Sequence, residues 1–292
     1  MAKGMCAVSG ARGYVGSRMC AHLRRKGWVV KELRRDGGAA GKADLQYIPF
    51  RLEGGIESGV LRGSDVLIHA AYDFRARTWD EIFSVNILGS ARLFEAAIAA
   101  GVKRIICIST MSAFPGCKSL YGKAKLEIEK HATAAGGVVV RPGLVYGKNA
   151  GGMFGGLERT VGGRRMVPLI GGGRQMLYLA HEEDLAELIA RLSERGGIAI
   201  DSPIIAACEK GRTFRDILAA IATSHGKSVT FLPLPWRMIW AGLRLCEALG
   251  IETGFRSDSV VSIVHQDRKP GFDTRHRLGV VFRGFNAATL RS

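Results

Sequence analysis

The chain has 292 residues, of which 47% are apolar and 23% are charged, the composition of an ordinary globular protein with one large domain or two interlocked lobes. Lysine and arginine outnumber aspartate and glutamate by 42 to 26, which favours an anionic partner (a phosphorylated cofactor, a nucleotide, an acidic membrane or a nucleic acid) or else a solvated basic surface. Because the sequence shows no membrane-spanning run, no secretory signal pattern and no closely paired cysteines, we expect no transmembrane segment, no disulfides and a cytoplasmic location.

The first predicted unit is a strand, a glycine-rich turn and a helix. An apolar run at 5–8 precedes Gly10, Gly13 and Gly16, which are spaced as Gly-x-x-Gly-x-x-Gly, and a second strand is predicted at 28–33. Glycines allow the backbone to approach a pyrophosphate closely, and the start of the helix offers unpaired N–H groups to it. This context predicts a dinucleotide-binding turn, whereas the glycines alone would also suit an ordinary turn.

Buried strands and helices alternate through the rest of the first half. The patterns predict strands at 65–70, 104–108 and 138–140, and helices at 83–100 and 121–135. Near-continuous apolar strands that are separated by helices indicate a parallel sheet covered on both faces. The predicted fold class is therefore α/β, a Rossmann-type doubly wound parallel sheet with a smaller C-terminal substrate-binding lobe.

The sequence becomes richer in glycine after residue 146. Glycine-rich stretches at 147–156 and 162–173 predict loops over a site. We expect residues 1–165 to form the dinucleotide-binding domain and residues 166–292 to form mainly the smaller lobe. A helix predicted at 182–195 is expected to return to the sheet.

An apolar helix is predicted at 236–249 within this lobe. Its Trp236 and Trp240 occur together with Arg237 and Arg244. Such a helix could lie at a membrane interface as a peripheral contact, or it could line an apolar substrate pocket. It could also belong simply to the core or to a dimer contact.

Tyr121 and Lys125 are four residues apart on a predicted helix and so share one face. A free tyrosine has a pKa of about 10, and a nearby ammonium lowers it, so that the phenol could exchange a proton with a carbonyl or an alcohol. The preceding strand delivers Thr110 and Ser112 to the carboxyl edge of the sheet, where ligands bind. These hydroxyls could contact the reacting oxygen or only form local caps.

Together these motifs make the chain resemble the extended short-chain dehydrogenase/reductases, the NAD-dependent epimerase/dehydratase family, over roughly residues 4–195. The motifs occur in the expected order: Gly10, Gly13 and Gly16, then residues 65–71, Asn86 to Gly89, Ile108 to Thr110, Tyr121 with Lys125, residues 141–147, and His181 to Asp184.

The resemblance implies hydride transfer at a carbon that bears oxygen, within a homodimer. Tyr121 would be the general acid or base, Lys125 would lower its pKa and hold the nicotinamide ribose, and Thr110 would orient the substrate oxygen, with Ser112 as the second choice. The residues implied to contact the cofactor are Gly10, Arg12, Gly13, Tyr14, Val15, Gly16, Arg34, Arg35, Ala70, Ala71, Tyr72, Asn86, Tyr121, Lys125, Pro142, Gly143 and Leu144.

The end of the second strand bears on the choice of cofactor. Arg34 occupies the position where an NAD site has an acid for the ribose 2′-hydroxyl. Arg12 could join it on a 2′-phosphate, because guanidinium groups suit phosphate geometry. Glu32 argues for NAD if the register is shifted by two residues. We predict NADP(H) over NAD(H).

The resemblance implies that the substrate is a nucleotide-linked sugar, which would undergo 4-ketoreduction or epimerisation. Two features depart from this pattern. Leu177 stands where sugar epimerases commonly have an arginine, although Arg174 is close by. The segment between Thr110 and Tyr121 is also short. Arg256 could be part of a phosphate clamp or of a surface ion pair. The alternatives are a ketoreductase for an apolar non-sugar substrate and a non-catalytic NADP(H)-sensing protein.

Other classes of partner are disfavoured. His69, His131 and His181 are not spaced as metal ligands, so we expect no metal site. The basic clusters lack the interleaved aromatic residues of a nucleic-acid surface. We therefore expect a small anionic molecule as the substrate, and no nucleic acid.

Overall fold

Seven parallel strands form the central sheet of the protein, whose computed structural model describes residues 2–35, 46–194, 202–251, 253–276 and 278–290. The elements of the first half are β1 (Met5–Ser9), α1 (Tyr14–Arg25), β2 (Val29–Arg34), β3 (Gln46–Pro49), α2 (Ser58–Leu61), β4 (Val66–His69), α3 (Trp79–Ile82), α4 (Leu88–Ala99), β5 (Arg104–Ile108), α5 (Leu120–Ala134) and β6 (Val138–Pro142). Those of the second half are β7 (Leu144–Tyr146), α6 (Gly152–Gly163), β8 (Met166–Ile170), β9 (Met176–Leu177), β10 (Leu179–His181), α7 (Glu182–Glu194), β11 (Ile204–Ala206), β12 (Arg212–Thr213), α8 (Phe214–Ser224), β13 (Thr230–Leu234), α9 (Trp236–Ala248), α10 (Ser257–Val264) and α11 (Asp273–His276).

The strand order in the central sheet is β11-β6-β5-β4-β1-β2-β3. Side chains alternate between the faces of a strand, and within β4 Val66 and Ile68 join one core cluster whereas Leu67 joins the other. Helices α1 and α7 cover the first face, and α4 and α5 cover the second. Burial on both faces explains the continuous apolar runs in the sequence. The predicted doubly wound α/β class is confirmed.

A helical segment runs from α3 to α4, and the residues between them, Phe83–Ile87, form a π-helical turn. It starts earlier than the predicted helix at 83–100 because Thr78 caps it, together with Glu81. Contrary to the sequence expectation, Trp79–Ala99 is long and apolar enough to cross a membrane, with 21 residues and a mean hydropathy of 1.4. However, 56% of the apolar 18-residue stretch within this segment is buried. The segment is therefore a core helix.

The prediction of loops at 147–156 and 162–173 is wrong in part, because α6 and β8 occupy much of these stretches. Glycine disfavours helices in isolation, yet α6 needs it for close packing. A Cβ at Gly155 would lie 2.0 Å from the Ala150 oxygen, and one at Gly156 would lie 2.4 Å from the Gly254 oxygen. Tertiary contacts therefore override helix propensity here.

The C-terminal part of the chain contributes to two cores. Helix α7 packs against α1, and β11 pairs with β6 at the edge of the central sheet. Leu278, Val280 and Phe282 also pack in the core of the sheet, although they lie within the range predicted for the smaller lobe. The lobe itself has its own core, built mainly from α6, β8, α8 and α10.

Candidate active site

The carboxyl edge of the central sheet borders a cavity of about 850 Å³, which the smaller lobe closes from the other side. The cavity brings together residues that follow β1, β2, β4, β5 and β6. The predicted site residues that line it are Gly10, Arg12, Gly13, Tyr14, Val15, Gly16, Arg34, Arg35, Ala70, Ala71, Tyr72, Thr110, Ser112, Tyr121, Lys125, Pro142, Gly143, Leu144 and Arg256.

Two predicted site residues do not line the cavity. Asn86 is fully buried: its Oδ1 accepts from the Asp73 backbone nitrogen at 2.6 Å, and its Nδ2 donates to the Asp73 carbonyl at 3.1 Å. It therefore holds a segment of the cavity wall instead of contacting a ligand. Arg174 lies exposed beside the turn at Gly172. It is not among the residues that line the cavity, so its predicted contact with the substrate stays a prediction.

The glycine turn leaves space at the start of α1. A Cβ at Gly10 would lie 2.7 Å from the Ala71 nitrogen, and one at Gly16 would lie 2.1 Å from the Gly10 oxygen. Gly10 also has a φ of +70°. Among the described residues no side chain caps α1, and its first turn contains no acid. An anion at this helix start would meet backbone N–H groups and the positive end of the helix dipole, so a dinucleotide pyrophosphate fits the turn.

The end of β2 gives the cavity a basic wall. Glu32 is buried and does not line the cavity; it accepts from Arg24 at 2.5 Å and from Arg34 Nε at 2.7 Å. Arg34 and Arg35 line the cavity from β2, and Arg12 lines it from the glycine turn. Glu32, the carboxylate that the sequence offers for a ribose hydroxyl, is thus buried in the protein, where it fixes Arg34.

Tyr121 lies in the first turn of α5, and Lys125 lies one turn later. The Lys125 ammonium donates to the Ile108 carbonyl at 2.8 Å and is 6.0 Å from the centre of the Tyr121 ring. Desolvation raises the pKa of Tyr121 above its usual value, and burial lowers the pKa of Lys125. The expected lowering of the tyrosine pKa by Lys125 is therefore corrected. The phenol stays protonated at neutral pH, which suits a general acid.

The hydroxyls that follow β5 have different environments. Ser109 donates to Glu129, which also accepts from Arg141 at 2.8 Å and 2.6 Å, so this serine is held by the buried ion pair. Thr110 Oγ1 accepts from the Ser112 backbone nitrogen at 3.2 Å. Thr110 and Ser112 both line the cavity and are half-buried, and both are placed to contact a substrate oxygen.

Aromatic rings surround the phenol. The Tyr72 ring meets the Tyr121 ring edge-on at 4.9 Å between centres, and Phe74 lies 4.8 Å from Tyr72 and 5.5 Å from Tyr121. Phe74 is 51% exposed although it lines the cavity. The Arg256 guanidinium lies 5.5 Å from the centre of the Phe74 ring. This aromatic cluster of Tyr72, Phe74 and Tyr121 gives the reacting end of the cavity an apolar wall.

The sequence model of the NAD dependent epimerase/dehydratase family matches residues 6–200. The chain belongs to this family. The resemblance inferred from its motifs is therefore confirmed.

Curated relatives of this family member are distant. The uncharacterized protein y4nG of Sinorhizobium fredii is 26% identical over 269 residues, which cover 84% of the chain and 66% of that protein. The ceramide reductase of Caulobacter vibrioides is 29% identical over 195 residues, which cover 65% of the chain and 61% of that protein. The chain thus spans less than two thirds of the length of these two relatives.

Solved structures share the fold. MoeE5 in complex with UDP-glucuronic acid and NAD has a TM-score of 0.74 at 19% identity, over 98% of this chain and 97% of that chain. The UDP-glucuronic acid 4-epimerase of Bacillus cereus in complex with UDP-glucuronic acid and NAD has a TM-score of 0.69 at 18% identity, over 98% and 99% of the two chains.

The structure also shows a contact to helix α5, which carries Tyr121, that sequence reasoning missed. Asp258, in the first turn of α10, accepts from the backbone nitrogens of Leu120 and Tyr121 at 2.8 Å and 3.0 Å. This carboxylate is thus occupied at the start of α5. No sequence signal pointed to this contact, because the partners are separated by more than a hundred residues.

His69, at the end of β4, is fully buried. Its Nδ1 contacts Ser9 Oγ at 2.7 Å, and its Nε2 contacts Ser90 Oγ at 2.8 Å. Burial lowers the pKa of His69 to about 3, so the ring is neutral. Within the part of the chain that the structure describes, no group of three His, Cys, Asp or Glu side chains could hold a metal ion.

Proposed function

We propose that the enzyme is an NADP(H)-dependent reductase that converts a carbonyl of its substrate to an alcohol. The observation that carries this proposal is the cavity itself, which connects the basic wall of Arg12, Arg34 and Arg35 to the Tyr121 phenol. Three guanidinium groups suit the 2′-phosphate of NADP(H). The buried position of Glu32, which does not line the cavity, supports this choice of cofactor.

Each group at the reacting end has a separate task. The Tyr121 phenol donates its proton to the carbonyl oxygen as the oxygen gains charge, and Thr110 or Ser112 orients that oxygen by a hydrogen bond. Lys125, held by the Ile108 carbonyl, contributes a positive charge beneath the phenol. A nicotinamide dinucleotide, when bound, supplies the hydride.

For the substrate we propose a ketone with an apolar portion next to the carbonyl. The aromatic cluster surrounds the phenol, and the lobe adds Phe255 and Ile263 to the lining of the cavity. The name of one relative, ceramide reductase, is consistent with such a substrate.

A nucleotide-linked sugar is the second candidate. Arg159 and Arg256 line the cavity from the lobe, and a diphosphate could lie between them. The solved structures with the same fold include complexes with UDP-glucuronic acid. The predicted homodimer and cytoplasmic location stay predictions.

Cofactor titration and a substrate panel test the proposal. NADPH is expected to bind more tightly than NADH when protein fluorescence is followed, and equal affinity or a preference for NADH would refute the choice of cofactor. NADPH consumption should then be measured with long-chain ketones and with UDP-4-keto-sugars. Turnover of only the sugars would replace the first substrate candidate with the second.

A further inference from the structure

Helix α9 has an unusual outer surface. Eleven positions in 237–251 are exposed, and apart from two arginines they are all apolar residues or glycine: Arg237, Met238, Trp240, Ala241, Gly242, Arg244, Leu245, Ala248, Leu249, Gly250 and Ile251. A helix on the surface of a globular protein normally turns a polar face to water. A contiguous apolar surface of this kind marks an interaction site.

The exposed residues form two rows along the helix. Met238 and Leu245 are seven residues apart and Leu249 follows at the C-terminal end, so these three share one face, which we call the apolar stripe. Their exposed fractions are 63%, 62% and 66%. Arg237 and Arg244 are also seven residues apart and form a row beside the stripe.

The inner face fixes the helix to the lobe. Trp236, Ile239 and Leu243 pack against the core of the lobe, and the Trp236 ring meets His265 edge-on at 5.7 Å. Helix α9 also packs along α10. The apolar stripe is therefore held outward by a packed helix.

The charges on this surface are positive. Glu247 is the only acidic residue of α9, and its carboxylate accepts from both the backbone nitrogen and the hydroxyl of Ser257 at 2.8 Å. Arg244 lies 3.8 Å from Glu247 but remains 57% exposed in its side chain. An occupant of the surface must therefore accept apolar side chains and offer negative charge next to them.

We propose that α9 docks the enzyme on an anionic phospholipid bilayer. The apolar stripe would enter the boundary between headgroups and acyl chains, while Arg237 and Arg244 would contact lipid phosphates. Anionic headgroups beside acyl chains offer both the negative charge and the apolar layer that this surface requires. The formal charge of +16 on the whole chain acts in the same direction.

Helix α9 is linked to the active site through α10. Glu247 at the end of α9 holds the start of α10, and Asp258 of α10 holds the start of the helix that carries Tyr121. Asp258, Ser259 and Ser262 of α10 also line the cavity. Contact of α9 with a bilayer would thus be felt, through α10, at the helix that carries the phenol.

Cosedimentation with vesicles tests the proposal without any turnover, so its result is independent of the proposed function. We expect the enzyme to sediment with vesicles of phosphatidylcholine and phosphatidylglycerol, and only weakly with phosphatidylcholine alone. The M238E/L245E variant should bind the mixed vesicles at least about tenfold more weakly, because each substitution removes the burial of a large apolar side chain. Arg237→Gln and Arg244→Gln should each weaken binding about fivefold.

Val281→Glu is the matched control, since Val281 is an exposed apolar residue outside α9; it should bind like the unchanged enzyme. Circular dichroism and thermal melting should show that every variant keeps its fold. The proposal is refuted if the unchanged enzyme does not bind the mixed vesicles, or if M238E/L245E binds them equally well. If light scattering shows a dimer that M238E/L245E dissociates, and no vesicle binding, the stripe is a contact between two copies instead.

Discussion

The carboxylate of Asp258 accepts a hydrogen bond from the backbone nitrogen of Tyr121 at 3.0 Å. The same side chain accepts from Leu120 at 2.8 Å. It satisfies two N–H groups at the start of α5 and places a negative charge at the positive end of that helix. The smaller lobe therefore fixes the direction in which the helix presents the Tyr121 phenol.

Replacing Asp258 should reduce the rate more than it affects cofactor binding. We expect Asp258→Asn to lower kcat about tenfold, because the amide is a weaker acceptor and α5 loses a fixed start. The Kd for NADPH should not change. Asp216→Asn, in the exposed first turn of α8, is the control for loss of a carboxylate. An unchanged kcat for Asp258→Asn would show that the contact does not position the phenol.

Removing the phenolic hydroxyl should abolish turnover. Tyr121→Phe is expected to lower kcat by about 10²–10⁴-fold, the usual contribution of a general acid. The ring remains against Tyr72 and Phe74, so NADPH should bind with its original affinity in a fluorescence titration. Intact cellular function in this variant would instead favour the non-catalytic sensor.

The pH dependence of the reaction follows from the raised pKa of Tyr121. Reduction needs the protonated phenol, which is the form present below the pKa. Desolvation raises that pKa above the usual value of about 10. The phenol therefore keeps its proton from about pH 6 to about pH 9, and the rate of reduction should stay constant over this range. The reverse oxidation needs the phenolate and should become faster as the pH rises. A reduction rate that falls as the pH rises through neutrality, in every buffer tested, would contradict the assignment of Tyr121 as the general acid.

Arg34 should determine the choice of cofactor. Its guanidinium lies 3.8 Å from the centre of the Tyr47 ring and is held by Glu32, so it is fixed where it lines the cavity. Arg34→Gln should weaken NADPH binding about tenfold through loss of a charge-assisted hydrogen bond, with little effect on NADH.

Arg25→Gln is the matched control for that variant, because Arg25 is exposed in the last turn of α1. Thermal melting should accompany both titrations, since the change at Arg34 leaves Glu32 with fewer partners. Equal losses of NADPH and NADH affinity in Arg34→Gln would mean that Arg34 holds a part common to both cofactors.

The central strands of the sheet could be predicted because a short run of apolar residues in the sequence marks each of them. The predicted strand at 104–108 coincides with β5, since a run of apolar residues buried on both faces has one simple interpretation. Helix α6 was missed because close backbone contacts, not its glycine-rich sequence, stabilise it. Phe74 and Asp258 were missed because their roles depend on which distant elements the fold brings beside Tyr121, and no local pattern contains that information.

Phe74 offers a way to distinguish the two substrate candidates. Its ring lies against Tyr72 and Tyr121 but stays half-exposed, so a ligand can cover it. Phe74→Ala should raise KM for an apolar ketone about tenfold, because burial of an aromatic ring against the substrate is lost. The Kd for NADPH should not change. Phe83→Ala is the control, as Phe83 is an exposed phenylalanine that does not line the cavity. If a UDP-4-keto-sugar is the true substrate and binds mainly through Arg159 and Arg256, its KM should be insensitive to the loss of Phe74, and only substitution of those arginines should raise it.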